Sequence, residues 1–401
     1  MKIAVYHNLP SGGGKRALQE LLRRLSARHA IDAFSLTTAN HEYCDIRPYC
    51  RHHTVYRFEP LPLARPPFGR VNQGIRAVDL VRLNRTQRVV TRDIDAGDYD
   101  VVFVHNCQFG ASPGLLRSLN TPSVYYCAEP PRAAIEPVVP RPYLQYTRWK
   151  RWANLLDPFP AIYRRVLLAS DRRNALSASR ILANSDYSRE SLYRVYGSFA
   201  QVSYLGVDTD HFGPAALSDG EFVLSVGALQ ARKGFDFLVE SLGVLDRATR
   251  PGLIIVSNYQ ERRERWYLED LAAEHGVVVE FKTMVSDEAL RVLYSQALLV
   301  LYAPIMEPFG LVPLEAMACG TPVVAVREAG VRETVRHGET GLLAPRDPAQ
   351  FSEAVHALLH DPEQRARLGR CAREYVVENW SWDAAAARVE EHLRAVAGGH
   401  V

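Results

Sequence analysis

Two glutamates, Glu307 and Glu315, bracket a predicted loop within the stretch of this chain whose residue types are best suited to chemistry. The stretch spans residues 304–324, and its pattern predicts a loop around Gly310 followed by a short apolar helix that ends at Gly320. Eight residues along a helix correspond to about 80° of rotation, so the two carboxylates are predicted to address one crevice. Carboxylates in such a crevice can accept hydrogen bonds from the hydroxyl groups of a ligand.

Backbone amides at the start of this predicted helix provide a second kind of contact. The N–H groups of Gly310, Leu311 and Val312 lack intrahelical partners, and their positive field suits a phosphate or an electron-rich sugar oxygen. The stretch therefore indicates a site for a ligand with both hydroxyl and diphosphate groups. On these residues alone, the alternative is that neither glutamate binds a ligand: Glu307 is then an ordinary acid in the first turn of the helix, and Glu315 is a solvated helix residue.

A glycine-rich turn follows the first predicted strand, residues 3–6. Gly13 and Gly14 belong to it and let the backbone approach a ligand closely, as in phosphate-binding loops. The glycine spacing matches neither the dinucleotide-binding pattern nor the P-loop pattern. A plain glycine turn is the alternative.

Polar residues follow two further predicted strands. His105 and Asn106 end the strand 100–105, and Glu129 and Arg132 follow the strand 123–127. In open α/β sheets, ligands bind at the carboxyl ends of the strands, so these four side chains are candidates for substrate contact. A structural histidine and a surface Glu129–Arg132 ion pair are the alternatives.

Strands and helices alternate along both halves of the chain, which predicts two doubly wound Rossmann-like α/β domains facing a central cleft. Predicted strands in the second half are residues 222–226, 253–256, 277–281, 298–302 and 322–326. We predict a first domain over 1–205, a linker over 206–220, a second domain over 221–380 and a closing helix over 381–401 that crosses back to the first domain.

Composition excludes several classes of protein. With 401 residues, 47% of them hydrophobic and 23% charged, the chain has the composition of a globular protein with two domains, and a net charge of +3 is too small to indicate a nucleic-acid partner. Six cysteines without CxxC pairs fit a reducing cytoplasm. The N-terminus is predicted to be a strand rather than a signal peptide, and no apolar window is long enough to span a membrane.

No metal site is predicted. The Asp-X-Asp pairs at 93/95, 98/100 and 208/210 fit turns and caps. A cluster of histidines and cysteines within residues 37–67 lacks the spacing of zinc ligands, so it is predicted to be an irregular surface loop; its members are His41, Cys44, Cys50, His52 and His53.

Aromatic and basic side chains are mixed in residues 143–156, which contain two tryptophans and several cations. This mixture suits a membrane interface, so we predict peripheral contact of this segment with the inner face of the membrane. A helix whose aromatic side packs inward is the alternative.

The 304–324 stretch resembles the signature of glycosyltransferase family 4, with Glu307-Pro-Phe-Gly-Leu-Val-Pro-Leu-Glu315 followed by Ala-Met-Ala-Cys-Gly-Thr-Pro-Val. The likeness spans nearly the whole chain, because the segments 12–14, 206–208, 227–234 and 330–341 occur in the family's order. The resemblance implies the GT-B fold and retaining transfer of a sugar from a nucleotide-diphosphate sugar to a hydroxyl group of a sugar or lipid-linked glycan. It also implies that neither a metal nor a cofactor is required.

The resemblance implies a role for each candidate residue. Glu307 would hold the donor sugar and Glu315 the ribose, while Arg232 and Lys233 would neutralise the diphosphate as fixed cations. The family's usual arginine after the first glycine of this loop is replaced by Ala228. The remaining donor contacts would come from Gly13, Gly14, Gly227, Met284, Val285, Phe309, Gly310, Leu311 and Val312.

One position departs from the family. Many members have a histidine where this chain has Ala128 and Glu129, so the role of that histidine is not carried over. A different GT-B enzyme, an epimerase or phosphorylase, is one alternative function. A non-catalytic nucleotide-sugar-binding protein is the other, favoured only if the change at Ala128 is disabling. The base, the sugar and the acceptor are not specified by the sequence.

Overall fold

The computed structural model describes residues 1–65, 71–144, 157–215, 220–258 and 261–399, and the statements below refer to these residues. The strands are β1 (Lys2–Asn8), β2 (Ala30–Leu36), β3 (His52–Tyr56), β4 (Val101–Cys107), β5 (Ser123–Tyr126), β6 (Arg180–Ala183), β7 (Gln201–Val202), β8 (Phe222–Val226), β9 (Gly252–Ser257), β10 (Val279–Thr283), β11 (Leu299–Tyr302), β12 (Val323–Val326) and β13 (Gly341–Ala344).

The α-helices are α1 (Gly13–Leu25), α2 (Asn72–Asp95), α3 (Arg132–Ile135), α4 (Phe159–Ala175), α5 (Asp186–Tyr196), α6 (Phe235–Val244), α7 (Arg262–His275), α8 (Asp287–Gln296), α9 (Leu311–Ala318), α10 (Val331–Thr334), α11 (Pro348–His360), α12 (Pro362–Asn379) and α13 (Trp382–Ala397).

The chain divides into two units. Unit 1 comprises Met1–Val138, Tyr146–Leu205 and Ala385–Val401, and unit 2 comprises Val139–Gln145 and Gly206–Ala384. Residues 139–145, which the sequence analysis placed in the first domain, therefore group with the second. The described part of α13 from Ala385 onward groups with unit 1, where the Glu390 carboxylate lies 3.0 Å from Nε2 of the buried His29.

Unit 1 is built on a parallel sheet of seven described strands in the order β3-β2-β1-β4-β5-β6-β7. The order reverses between β1 and β4, where Tyr6 pairs with Val104. Buried apolar side chains on one face, including Val102, Val104 and Tyr125, form the core of this unit. Strands with both faces covered appear as continuous apolar runs, so β4 was recognisable in the sequence.

Unit 2 is built on a parallel sheet of six described strands in the order β10-β9-β8-β11-β12-β13. Its order reverses between β8 and β11. Phe235, Leu238 and Leu242 of α6 pack in the core with residues of β8, β9 and β11. The prediction of two doubly wound α/β sheets is therefore confirmed.

The sequence analysis was wrong for part of residues 37–67. This segment contains β3, the edge strand of the unit 1 sheet, and both His52 and His53 lie on it rather than in a surface loop. An edge strand pairs on one side only and exposes polar side chains, so its sequence lacks the buried apolar run of a central strand. The strand β13 was missed as well, because its four residues are too few to show a periodicity.

A buried carboxylate, Asp171 on α4, holds the turn after β4 in unit 1. Asp171 is 2% exposed, and its carboxylate accepts hydrogen bonds from the Ser112 amide at 2.6 Å and from the Tyr196 hydroxyl. Burial raises the pKa of Asp171 to about 6, although these hydrogen bonds oppose the shift.

We expect Asp171 to make the protein less stable as the pH rises through about 6. A carboxyl group whose pKa is higher in the folded state binds its proton more tightly there. Its contribution to the free energy of unfolding is therefore full at a pH below its pKa in the unfolded chain, and it is lost as the pH rises above its pKa in the folded protein. Between about pH 4.5 and pH 7.5, the free energy of unfolding of the parent should fall by about 2 kcal/mol relative to Asp171→Asn. Urea denaturation of both proteins measures this difference, and parallel pH profiles would contradict it.

Candidate functional site

The loops after β8 and β11 adjoin where the strand order of unit 2 reverses, which is where ligands bind in open α/β sheets. A backbone hydrogen bond joins the two loops, since the Ile305 amide donates to the Arg232 carbonyl at 2.8 Å. A Cβ atom on Gly234 would lie 2.0 Å from the Ala303 carbonyl oxygen, and Gly234 has a φ of +67°. Glycine at position 234 therefore permits this close approach.

Lys233 and Glu307 form an ion pair in the candidate site. The Lys233 Nζ lies 2.8 Å from the Glu307 Oε2, and the two side chains are 26% and 19% exposed. A Cβ atom on Gly227 would lie 3.4 Å from the lysine side chain, so this glycine lets the lysine run close to the end of β8. Because the Lys233 ammonium is already paired with the Glu307 carboxylate, a diphosphate bound at this position would compete with Glu307 for Lys233.

Arg232 lies beside Lys233 in a single 3₁₀ turn, Ala231–Lys233, which ends at Gly234. The Arg232 side chain is half-buried. The structure thus brings both predicted phosphate-binding cations and Glu307 to the same pair of loops.

Glu315 lies on α9 and is only 7% exposed. Its Oε2 accepts a hydrogen bond from the hydroxyl of the buried Tyr294 at 2.9 Å, so it is not the solvated helix residue that was the alternative. The rotation argument for the two glutamates was wrong, because α9 begins only at Leu311 and Glu307 precedes it in a loop. The reversal of strand order, rather than the helical phase, places Glu307 in the site.

The loop before α9 is held by the loop after β12. The Gly330 amide donates to the Glu307 carbonyl at 3.0 Å, and a Cβ atom on Gly330 would lie 2.2 Å from the Pro308 carbonyl oxygen. The Phe309 ring is buried, with its centroid 5.5 Å from that of Trp380. Gly310 has a φ of +108° and precedes the first turn of α9.

These constraints fix the amides of the first turn of α9. Leu311 and Val312 are the first two residues of this helix, so their N–H groups precede its first intrahelical bond.

Met284 and Val285, predicted to contact the base, follow β10 at one edge of the unit 2 sheet. Met284 is 77% exposed and has a φ of +52°. Ser257 connects this corner to the site, because its carbonyl accepts from the Met284 amide at 3.3 Å and its hydroxyl accepts from the Leu229 amide at 3.1 Å. The two residues therefore lie next to the loop that begins at Gly227.

In unit 1, Gly13 and Gly14 are the first two residues of α1 rather than part of the preceding loop. The residue after them, Lys15, is 1% exposed, and its Nζ lies 3.4 Å from Nε2 of the buried His7. Burial lowers the pKa of Lys15 to about 8. This pair was not predicted from the sequence. The available signal was the helical spacing of Lys15, Leu18 and Leu22, which puts the lysine on the apolar face of α1.

His105 and Asn106 lie at the end of β4. The His105 ring stacks on Tyr126 with centroids 5.4 Å apart, and its buried Nε2 has no hydrogen-bond partner within the described residues. Burial, together with the charge of Lys15, lowers the pKa of His105 to about 3, so the ring is neutral at physiological pH. The Asn106 amide donates to the Glu129 carbonyl at 3.1 Å and accepts from Tyr125 at 3.0 Å.

Glu129 and Arg132 form the ion pair that was the alternative interpretation, with 3.3 Å between carboxylate and guanidinium. Arg132 also binds Glu136 at 2.8 Å and is 16% exposed, whereas the Glu129 side chain is 44% exposed. The carboxylate of Glu129 is thus oriented by Arg132 and remains accessible.

The described residues contain neither a candidate metal-binding cluster nor a helix that could span a membrane. No group of three or more His, Cys, Asp or Glu side chains there is arranged to hold a metal ion. No helix in the same part of the chain is long and apolar enough to cross a bilayer. Of the predicted membrane segment 143–156, residues 145–156 lie outside the described residues.

Two family models match the chain and together cover residues 11–375. The model described as Glycosyltransferase Family 4 matches residues 11–211, and the model described as Glycosyl transferases group 1 matches residues 207–375. The predicted family resemblance is thereby confirmed.

Two curated relatives are similar over 55% of this chain. One is the GDP-mannose-dependent alpha-(1-6)-phosphatidylinositol monomannoside mannosyltransferase of Mycolicibacterium smegmatis, 32% identical over 243 residues and 64% of its own length. The other is the D-inositol 3-phosphate glycosyltransferase of Streptomyces bingchenggensis, 31% identical over 249 residues and 54% of its length. The match spans less than two thirds of each relative.

Among solved structures, the chain is similar to the sucrose-phosphate synthase from Thermosynechococcus elongatus. The TM-score is 0.76 at 22% sequence identity, and the alignment covers all of both chains. At this identity, the similarity concerns the fold.

Proposed function

Because the chain belongs to glycosyltransferase family 4, we propose that it transfers a sugar from a nucleotide-diphosphate sugar to a hydroxyl group of a sugar or lipid-linked glycan, with retention of anomeric configuration. The observation that carries this proposal is the Lys233–Glu307 ion pair at the strand reversal of unit 2. In this pair, the cation that we propose to bind phosphate lies next to the carboxylate that we propose to hold a sugar hydroxyl.

In the proposed donor complex, Arg232 and Lys233 bind the diphosphate and the first-turn amides of α9 contribute further donors. Glu307 accepts hydrogen bonds from the sugar, and Glu315 accepts them from the ribose. The hydrogen bond from Tyr294 supports this role for Glu315, because it fixes the carboxylate before the ligand arrives. Met284 and Val285 contact the base.

In the proposed reaction, the bond between the sugar anomeric carbon and the leaving phosphate oxygen breaks, and the acceptor oxygen bonds to that carbon from the same face. The acceptor's proton passes to the departing phosphate. Fixed cations stabilise the negative charge that develops there, so the reaction requires neither a side-chain nucleophile nor a metal ion.

The acceptor is proposed to contact residues of unit 1: His105, Asn106, Glu129 and Arg132. Gly13 and Gly14 start α1 and are proposed to face the donor phosphates with their amides. The protein is proposed to act in the cytoplasm or at the inner face of the membrane. Contact with a membrane through residues 143–156 stays a prediction.

The printed names of the relatives suggest which substrates to test first. GDP-mannose is the donor named for one relative, and phosphatidylinositol mannoside and inositol phosphate are acceptors named among them. We therefore propose a panel of GDP- and UDP-sugars, each incubated alone, with inositol phosphate and with extracted lipids. Acceptor-dependent release of nucleoside diphosphate supports transfer. Conversion of the donor without acceptor into another nucleotide sugar or a sugar phosphate, rather than its hydrolysis, indicates an epimerase or phosphorylase, and binding without turnover indicates a non-catalytic protein.

Glu129→Ala tests the acceptor-side assignment. We expect transfer to fall while donor hydrolysis without acceptor and nucleotide affinity stay near parental values, because the Glu129 carboxylate is accessible and can accept a hydrogen bond from an acceptor hydroxyl. Steady-state kinetics and calorimetry measure these quantities. Glu190→Ala is a matched control, since Glu190 also forms an exposed ion pair in unit 1. Transfer at the parental rate by Glu129→Ala would leave the ion pair with Arg132 as its function.

A further inference from the structure

Arg141 is a charged residue that is almost completely buried in unit 2. Its segment, residues 139–145, lies in sequence between β5 and β6 of unit 1 but groups with unit 2. The Arg141 side chain is 3% exposed, and the Glu264 side chain paired with it is fully buried. A guanidinium this deeply buried requires several hydrogen-bond acceptors to offset the loss of water.

Those acceptors are two carboxylates and two backbone carbonyls, one of which is the Pro140 carbonyl at 3.2 Å. The Arg141 guanidinium donates to Glu264 on α7 at 2.9–3.1 Å and to Asp236 on α6 at 2.9 Å. It also donates to the Ala231 carbonyl at 3.1 Å. Its carbon Cζ lies 5.1 Å from the centroid of the Tyr267 ring, and the Tyr143 hydroxyl donates to Glu264.

The two acceptors on the β8–α6 connection bracket the cations of the candidate site. Ala231 begins the 3₁₀ turn that contains Arg232 and Lys233, and Asp236 lies in the first turn of the helix that follows. Arg141 therefore links the residues on both sides of the two cations to Glu264. The Lys233 side chain in turn contacts Glu307.

We infer that Arg141 is a positioning residue for the donor diphosphate: it holds the turn Ala231–Gly234 in the conformation that presents Arg232 and Lys233 to the phosphates. This inference rests on the proposed function, in which those two cations bind the diphosphate. Preorganised cations stabilise developing charge without a reorganisation cost during the reaction. Without Arg141, the carbonyl of Ala231 and the carboxylate of Asp236 lose their shared donor, and the turn is held less tightly.

The test compares Arg141→Ala with Arg250→Ala. Arg250 is also a partly buried arginine of unit 2, and its guanidinium donates to the carbonyls of Gly243, Leu245, His275 and Gly276, away from the donor loops. Loss of either arginine is expected to lower the melting temperature. Only Arg141→Ala should weaken the binding of UDP or GDP, by about tenfold or more at a temperature where all variants are folded.

Two milder variants keep the test informative if Arg141→Ala does not fold. Asp236→Asn removes one charged contact of the guanidinium, and Tyr143→Phe removes the hydroxyl bound to Glu264. Asp236→Asn should lower affinity for the nucleoside diphosphate and kcat, whereas Tyr143→Phe, which does not touch the turn, should lower affinity less. The inference would be overturned if Arg141→Ala bound UDP and GDP as tightly as the parent and Arg250→Ala do. If Arg141→Ala does not fold, the same result with Asp236→Asn would overturn it.

The double variant Arg232→Ala/Lys233→Ala separates this inference from the proposed function. If the double variant loses nucleoside diphosphate affinity and the Arg141 and Asp236 variants do not, the positioning role is wrong and the phosphate-binding role stands. If the double variant binds UDP and GDP as the parent does, the phosphate-binding role itself is wrong, and the positioning inference fails with it.

Discussion

Replacing Arg232 or Lys233 by alanine is expected to lower kcat by a factor of about 10²–10³ each, the usual cost of removing one transition-state donor. Both residues lie in the 3₁₀ turn at the strand reversal of unit 2, where the leaving diphosphate is proposed to bind. Steady-state kinetics with a saturating donor measures the effect. Arg265→Ala is the control, because Arg265 forms an exposed ion pair with Glu269 on α7 and should leave kcat unchanged.

The chelator EDTA is expected to leave the activity of the parent unchanged, since the two cations are proposed to neutralise the diphosphate themselves. Activity that is lost in EDTA and returns with magnesium or manganese would contradict a phosphate site built from side-chain cations alone. Near-parental kcat in both alanine variants would contradict it as well.

The ion pair between Lys233 and Glu307 affects how the Lys233→Ala variant is interpreted. Lys233→Ala removes the ammonium group that lies 2.8 Å from the Glu307 carboxylate, and residues in such direct contact act as a unit. In terms of the residual kcat, the effects of the two substitutions should therefore be less than additive in the double variant Lys233→Ala/Glu307→Gln. Fully additive effects would indicate that the pair is broken when the donor binds.

Replacing Glu307 by glutamine is expected to abolish transfer and to leave nucleoside diphosphate affinity near the parental value. The glutamate is proposed to hold the sugar rather than the diphosphate, so its replacement should impair transfer without weakening the binding of the diphosphate. Glutamine keeps the size of the side chain but loses the charge-assisted hydrogen bonds, which contribute about 1.5–3 kcal/mol each. Kinetics and calorimetry with nucleoside diphosphates measure the two quantities. The exposed Glu339, replaced by glutamine, is the control.

Glu315→Ala is expected to weaken nucleoside diphosphate binding itself, because Glu315 is proposed to hold the ribose. The substitution also removes the acceptor for the buried Tyr294 hydroxyl, so its effect on stability must be measured separately. Comparing the thermal unfolding of Glu315→Ala with that of the double variant Glu315→Ala/Tyr294→Phe measures the loss of stability that the unmatched Tyr294 hydroxyl causes. Equal losses of nucleotide affinity in the Glu307 and Glu315 variants would contradict the separation of their roles.

The central strands of both sheets were predictable because their signal is local. Strands such as β4 and β8 are covered on both faces, so their sequences are continuous apolar runs bounded by loop residues. Helix α5 was predictable for a similar reason, since Ser185 caps its first turn and Gly197, with a φ of +71°, ends it. Strand β3 was not predictable, because it is an edge strand whose residues are mostly polar and none of which is fully buried.

The sequence by itself determined the alternation of strands and helices, the family, and the set of residues for the candidate site, because apolar runs, glycines and motif spacing are local properties of the chain. Only the tertiary structure decided which of these residues meet. Residues Lys233 and Glu307 are 74 positions apart, and Arg141 and Glu264 are 123 positions apart. Both pairs form because folding brings distant segments of unit 2 together, and the burial of Arg141 and Glu264 makes a charged partner obligatory for each of these two side chains.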